Sequence, residues 1–128
     1  MRTSRTPRPE HRAFCCITAV DFPAQAVAAL LPRYRGKPFV IINRSPDSNK
    51  SAVVSCSAAA RRAGVRPGML LRMVQRDQPD LIALPRDEEL EQVCRADVEA
   101  ILRRSTPSFV YRGRGCWCAD LSHTPAAR

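Results

Sequence analysis

The chain has 128 residues, 45% hydrophobic and 26% charged, enough for one domain with a modest core and too short for several. Lys and Arg number 21 against 12 Asp and Glu, a net charge of +9, and every cation except Lys37 and Lys50 is Arg. No run approaches the ~18 apolar residues of a membrane-spanning helix, and the N-terminal stretch lacks the apolar segment of a secretory signal, so a cytoplasmic protein without a membrane partner is expected.

The charge points to a polyanionic partner, because neutralising phosphates releases counterions. Arg-rich coding composition produces the same excess, so charge alone leaves both readings open. The six cysteines are Cys15, Cys16, Cys56, Cys94, Cys116 and Cys118, mostly inside apolar runs. They form no C-x2-C pair, and His11 and His123 lie near the two ends, which favours buried reduced thiols over a zinc site.

Residues 1–13 read as a disordered basic leader. "FCCITAV", 14–20, is an unbroken apolar run expected of a buried strand. "PAQAVAALL", 23–31, reads as a helix opened by Pro23 and stopped before Pro32. "KPFVIIN", 37–43, and "AVVSC", 52–56, are strands on either side of a turn-rich loop, which predicts a hairpin. Ser57 is placed to cap a short helix ending at Gly64, and residues 69–75 read as a second short helix. "DLIALP", 80–85, is a further strand. The longest helix opens on Asp87, Glu88 and Glu89 and closes on Arg103 and Arg104, with Leu90, Val93, Cys94, Val98, Ile101 and Leu102 on one face. "SFVY" and "CWCADL" supply final strands around the Gly- and Arg-rich 112–115, and 123–128 is a tail. The alternation predicts an α/β (α+β) domain, a sheet with helices packed on it.

Four segments, "RGKPFVI", "SCSAAARRAGVRPGM", "QPDLIALPRD" and "STPSFVYRGRGCWCADLS", resemble in register the opening of Y-family, translesion-type DNA polymerases. The resemblance covers about residues 14–122. It implies a partial palm-type sheet with packed helices, a small helical fingers insertion at 36–76, and a return to the palm at 80–122. It also implies a role in DNA repair and lesion bypass, with DNA as partner.

Phosphoryl transfer in that family needs divalent ions, Mg²⁺ in active relatives, held by carboxylates. By the resemblance, the three acid positions fall on Thr18, Gly115 and Cys116, none of which is an acid. No catalytic set is intact and no cofactor is expected. Asp21 and Asp120 are the acids nearby, neither at a ligand position. The phosphate-contacting positions keep Ser55 and Arg61, which makes them the nucleotide-binding candidates, whereas the family's tyrosine falls on Ala58 and its sugar-gating aromatic on Pro23. A kept scaffold with deleted acids is similar to the ImuB-like branch, whose members are non-catalytic partners in damage-induced mutagenesis.

The resemblance, with its acids absent, implies a non-catalytic module that meets damaged DNA or protein partners of a mutagenesis complex. Residues 50–76 hold Lys50, Arg61, Arg62, Arg66, Arg72 and Arg76 and no acid, so Arg61, Arg62, Arg66 and Arg72 are the candidate DNA contacts. Two alternatives stand beside this. One is an active nucleotidyltransferase using Asp21 and Asp120 as substitute ligands. The other is a cysteine-based metal module joining Cys15 or Cys16 to Cys116 or Cys118.

Overall fold

The computed structural model describes residues 12–122. In chain order the elements are β1 (Phe14–Thr18), α1 (Phe22–Leu30), β2 (Phe39–Ile42), β3 (Val53–Cys56), α2 (Ala58–Arg62), α3 (Leu71–Asp77), β4 (Ile82–Pro85), α4 (Glu88–Ser105), β5 (Phe109–Gly113) and β6 (Cys116–Asp120), with a 3-10 turn at Pro32–Tyr34. This is the expected mixed α/β architecture.

The unbroken run Phe39–Ile42 explains the middle of the molecule. All four residues are buried, because β2 has a covered face on each side. Val40 and Ile42 pack with Val53, Ala60, Leu71 and Val74, the contribution of β3, α2 and α3. Phe39 and Ile41 pack with Ala24 and Val27 of α1. Both edges of β2 are also taken, by β3 antiparallel and by β4 parallel. The predicted hairpin between β2 and β3 therefore forms.

The strands divide into two three-stranded sheets, β3-β2-β4 and β1-β6-β5, where the sequence suggested one. Helix α1 links them. Its Ala24 and Val27 face β2, while Phe22 joins Trp117 of β6 and Leu102 of α4 in a third apolar cluster. Phe22 and Trp117 meet edge to face at 5.6 Å.

Local chemistry sets the ends of the helices. Ser57 accepts from the Ala60 N–H at 3.2 Å and Asp87 from the Leu90 N–H at 3.1 Å, each acting as an N-cap. Helix α3 starts two residues later than the apolar spacing suggested. Before it, Gly68 and Met69 exchange backbone bonds with Val53, and Leu70 bridges Ala52. β1 likewise stops at Thr18 rather than residue 20, because Asp21 turns the chain with φ 56° and ψ 46°. Ala13, assigned to the leader, is tied to the sheet: its carbonyl accepts from Leu121 at 2.7 Å and its N–H donates to Ser122 Oγ at 3.1 Å. Residues 1–11 and 123–128, with His11 and His123, lie outside the described residues.

Candidate functional site

Successive residues of a strand point to opposite faces. Trp117 and Ala119 of β6 turn toward the helices and are buried. Cys116, Cys118 and Asp120 lie on the other face, opposite Thr18, Cys16 and Phe14 of β1 in that order. Two of the three acid positions inferred from sequence, Thr18 and Cys116, are thus brought together. Thr18 Oγ1 stands 3.7 Å from Cys116 Sγ.

The third position, Gly115, is occupied by its neighbours. It has φ +71°, and a Cβ built there would fall 2.5 Å from Phe22 Cβ and 2.9 Å from the Ala19 carbonyl oxygen. Real Cβ atoms do not approach so closely, so any larger side chain requires movement. The Gly115 carbonyl accepts from the Ala19 N–H at 2.8 Å and its N–H donates to the Tyr111 hydroxyl at 3.1 Å, which fixes the turn. Sequence reasoning missed Phe22 as the residue that fills this space.

Asp21, the acid nearest in sequence, does not enter that face. Its side chain is 9% exposed. One carboxylate oxygen accepts from the Cys56 N–H at 3.2 Å and the Ser55 hydroxyl at 3.4 Å. The other accepts from Nε of Arg61 at 2.9 Å and also from its Nη2. This forked pair raises the Arg61 pKa, through the hydrogen bonds first and the charge of Asp21 second. Ser55 Oγ also accepts from the Ala24 N–H at 3.1 Å, near the start of α1. The structure thus brings the nucleotide-binding candidates Ser55 and Arg61 together, and the anion they hold is Asp21. Asp120 lies at the other end of β6, opposite Phe14, and accepts from the Ser122 N–H at 2.9 Å.

An open cleft of about 480 Å³ adjoins Asp21, with Arg61, Arg86, Glu91 and Arg114 in its wall. Arg86 is forked onto Glu91 at 2.9 and 3.0 Å. Arg114, in the left-handed turn between β5 and β6, is a wall residue that the sequence did not single out. Among the other candidate DNA contacts, Arg66 donates to the Arg61 and Val65 carbonyls at 2.7 and 2.8 Å and closes the end of α2. Arg62 and Arg72 are exposed.

Mg²⁺ requires oxygen ligands, and a hydroxyl, a thiol and a glycine hydrogen at Thr18, Cys116 and Gly115 do not fit it. Among the described residues no group of three or more His, Cys, Asp or Glu converges to hold a metal ion. Cys16 does meet Cys118, but Cys15 turns to the other face of β1, so the cysteines of the metal module considered from sequence do not converge on one ion. No helix of the described residues is long and apolar enough to cross a membrane.

A 75-residue stretch of the chain is 32% identical to DNA polymerase IV of Shewanella oneidensis, covering 59% of this chain and 20% of that protein. In fold, the chain matches a Y-family DNA polymerase chimera of Dbh and Dpo4 with a TM-score of 0.74 at 22% identity, over 85% of this chain and 32% of that one. DinB from Sulfolobus solfataricus gives 0.73 at 22% identity, over 86% and 32%. The chain therefore spans only a fraction of the length of these relatives, and its described part has the palm-and-fingers fold of Y-family polymerases. The family model for impB/mucB/samB proteins matches residues 17–127, from the end of β1 through the turn that places Gly115 and Cys116, and the chain belongs to that family.

Proposed function

We propose that the chain serves DNA damage tolerance as a palm-and-fingers unit that contacts DNA, or a protein partner at a lesion, and carries out no phosphoryl transfer of its own. In this reading residues 14–122 form the unit, 36–76 its fingers and 80–122 the return to the palm. The chain resembles the ImuB-like branch in keeping the scaffold and losing the acids. The carrying observation is the site around Thr18. The three positions that would hold metal ions present a hydroxyl, a thiol and a hydrogen, and the space beside Gly115 is filled by Phe22.

The surroundings of Asp21 support the same reading. A substitute metal ligand must turn toward the reacting phosphates, whereas this carboxylate is held by Arg61, Ser55 and the Cys56 N–H. The same contacts neutralise Arg61, which weakens its claim as a triphosphate ligand. For DNA, the exposed Arg62 and Arg72 lie in a stretch that contains no acid, as backbone contacts require.

The test is fluorescence anisotropy of a labelled primer–template at several salt concentrations, run beside primer extension with Mg²⁺. The expected result is salt-sensitive binding without extension. Replacing Arg62 and Arg72 together by Ala should reduce the salt slope by about 2 if each neutralises one phosphate. Template-directed incorporation lost on Asp21→Ala would overturn the non-catalytic reading. Absence of binding at low salt would remove the DNA contact and leave the protein partner.

A further inference from the structure

The open face of the β1-β6-β5 sheet carries a thiol pair that the proposed function does not use. Cys16 and Cys118 are directly opposed, with their sulfurs 2.9 Å apart. Backbone bonds join Ala19 to Gly115 and Leu121 to Ala13. Hydrogen-bonded and non-bonded pairs alternate along an antiparallel ladder, which puts Cys16 and Cys118 in a non-bonded pair, where Cα atoms are ~4.5 Å apart and side chains are closest. A disulfide tolerates Cα separations of about 4.4–6.8 Å, so this pair can be bridged without moving the strands.

Access and register single out this pair. Cys16 is exposed and Cys118 half-buried, whereas Cys56 is buried. Cys116 shares the face but opposes Thr18, and Cys15 opposes Ala119 on the other side. The hydrogen bond with Cys16, ahead of burial, raises the Cys118 pKa, and the greater exposure of Cys16 makes it the sulfur an oxidant reaches first.

We infer that Cys16 and Cys118 form a reversible dithiol–disulfide site, oxidised by a hydroperoxide and reduced by a dithiol. With hydrogen peroxide, the Cys16 sulfur attacks one oxygen, the O–O bond breaks, and a sulfenic acid and one water result. The Cys118 sulfur then attacks the Cys16 sulfur and the S–O bond breaks. A second water leaves with the Cys118 proton. The two thiols together lose two electrons, and the peroxide accepts both. The site stands whether or not the chain binds DNA.

The test treats the reduced full chain with stoichiometric hydrogen peroxide, alkylates the remaining thiols, and maps the peptides by mass spectrometry. The expected product is a peptide pair linked through Cys16 and Cys118 that reverts with dithiothreitol. Free thiol at both positions should disappear together, about tenfold faster than at Cys15 or Cys94. Cys118→Ser should leave a sulfenic acid on Cys16 that dimedone captures. Linkage through Cys15 or Cys116, or loss of thiol at Cys16 and Cys118 no faster than at Cys15, would overturn the inference. The wild-type map needs no substitution, so misfolding of a variant cannot account for a negative result.

Discussion

Gly115→Ala probes how completely Phe22 has closed the turn before β6. The added Cβ would meet Phe22 Cβ at 2.5 Å, Phe22 Cγ at 2.8 Å and the Ala19 carbonyl oxygen at 2.9 Å, at φ +71°. A left-handed backbone costs a non-glycine residue about 1–2 kcal/mol. Forcing a methyl into filled space costs about 1–3 kcal/mol more. Neither neighbour retreats freely. The Phe22 ring is 4% exposed and lies edge-on to Trp117, and Ala19 would lose its 2.8 Å bond to the Gly115 carbonyl. The expected loss is about 3 kcal/mol. Urea unfolding followed by fluorescence of Trp117, the only tryptophan, measures it. In a Phe22→Ala background only the 2.8 Å clash with the ring carbon disappears, because alanine keeps the Cβ at 2.5 Å and the Ala19 carbonyl oxygen stays at 2.9 Å. The cycle should therefore show a coupling of only about 1 kcal/mol, with most of the loss persisting. A loss below about 0.5 kcal/mol for Gly115→Ala, or an additive cycle, would refute the crowding argument. The same crowding predicts that Gly115→Asp cannot restore a carboxylate even with Phe22 cut to alanine, because the Cβ of that residue and the Ala19 carbonyl still fill the space.

Asp21→Ala should lower stability by about 2 kcal/mol in urea, since it strands the Cys56 N–H and the Ser55 hydroxyl; a change within experimental error would mean the cluster is not formed in solution. Glu99 accepts from Arg95 Nε at 3.0 Å and Trp117 Nε1 at 3.3 Å, and the Arg95 bond foremost holds its carboxyl below the usual 4.5. Its contribution is therefore complete above the unfolded value and fades as pH falls through the lower folded one. Unfolding midpoints should hold from neutral pH to about 5 and then drop, and Glu99→Gln should blunt the drop. Burial, then the charge of Asp21, pushes the Cys56 thiol up to about 11. At about pH 9 iodoacetamide should label exposed Cys16 and spare Cys56 until urea is added, and equal native labelling would contradict the burial of Cys56.

Elements whose signal is local were legible. Helix α4 runs Glu88–Ser105 with Asp87 as its cap, where the opening acids, closing arginines and apolar spacing placed it. The buried strand was misplaced: the unbroken apolar run at 14–20 forms β1, which is exposed at four of its five positions because one face of its sheet is uncovered, whereas β2 is buried on both faces. The division into two sheets was not legible, because an apolar strand does not announce which partners take its edges, and β4 reaches β2 from some forty residues along the chain. The start of α3 was misread for a related reason: Met69 and Leu70 fit a helical period, but β3 and its flanks compete for their backbone. At the site, sequence register brought Thr18 and Cys116 together. It could not reveal the plug at Gly115, which depends on how Phe22 turns after a left-handed Asp21.

Asp21 also changes how the net charge must be understood. Counted along the sequence, residues 50–76 offer six cations and no acid. In the fold, an acid from outside the stretch, forty residues before Arg61, enters and neutralises it, and Arg66 is spent on the carbonyls that end α2. Arg86, Arg95 and Arg103 are likewise paired with Glu91 or Glu99. A phosphate backbone is gripped by cations that shed water and counterions, not by those already bonded to a carboxylate. The cations of this stretch left outside ion pairs among the described residues are Lys50, Arg62, Arg66, Arg72 and Arg76. If DNA binds here, its affinity should respond to Arg62 and Arg72 before Arg61, the reverse of what the family register alone would rank first.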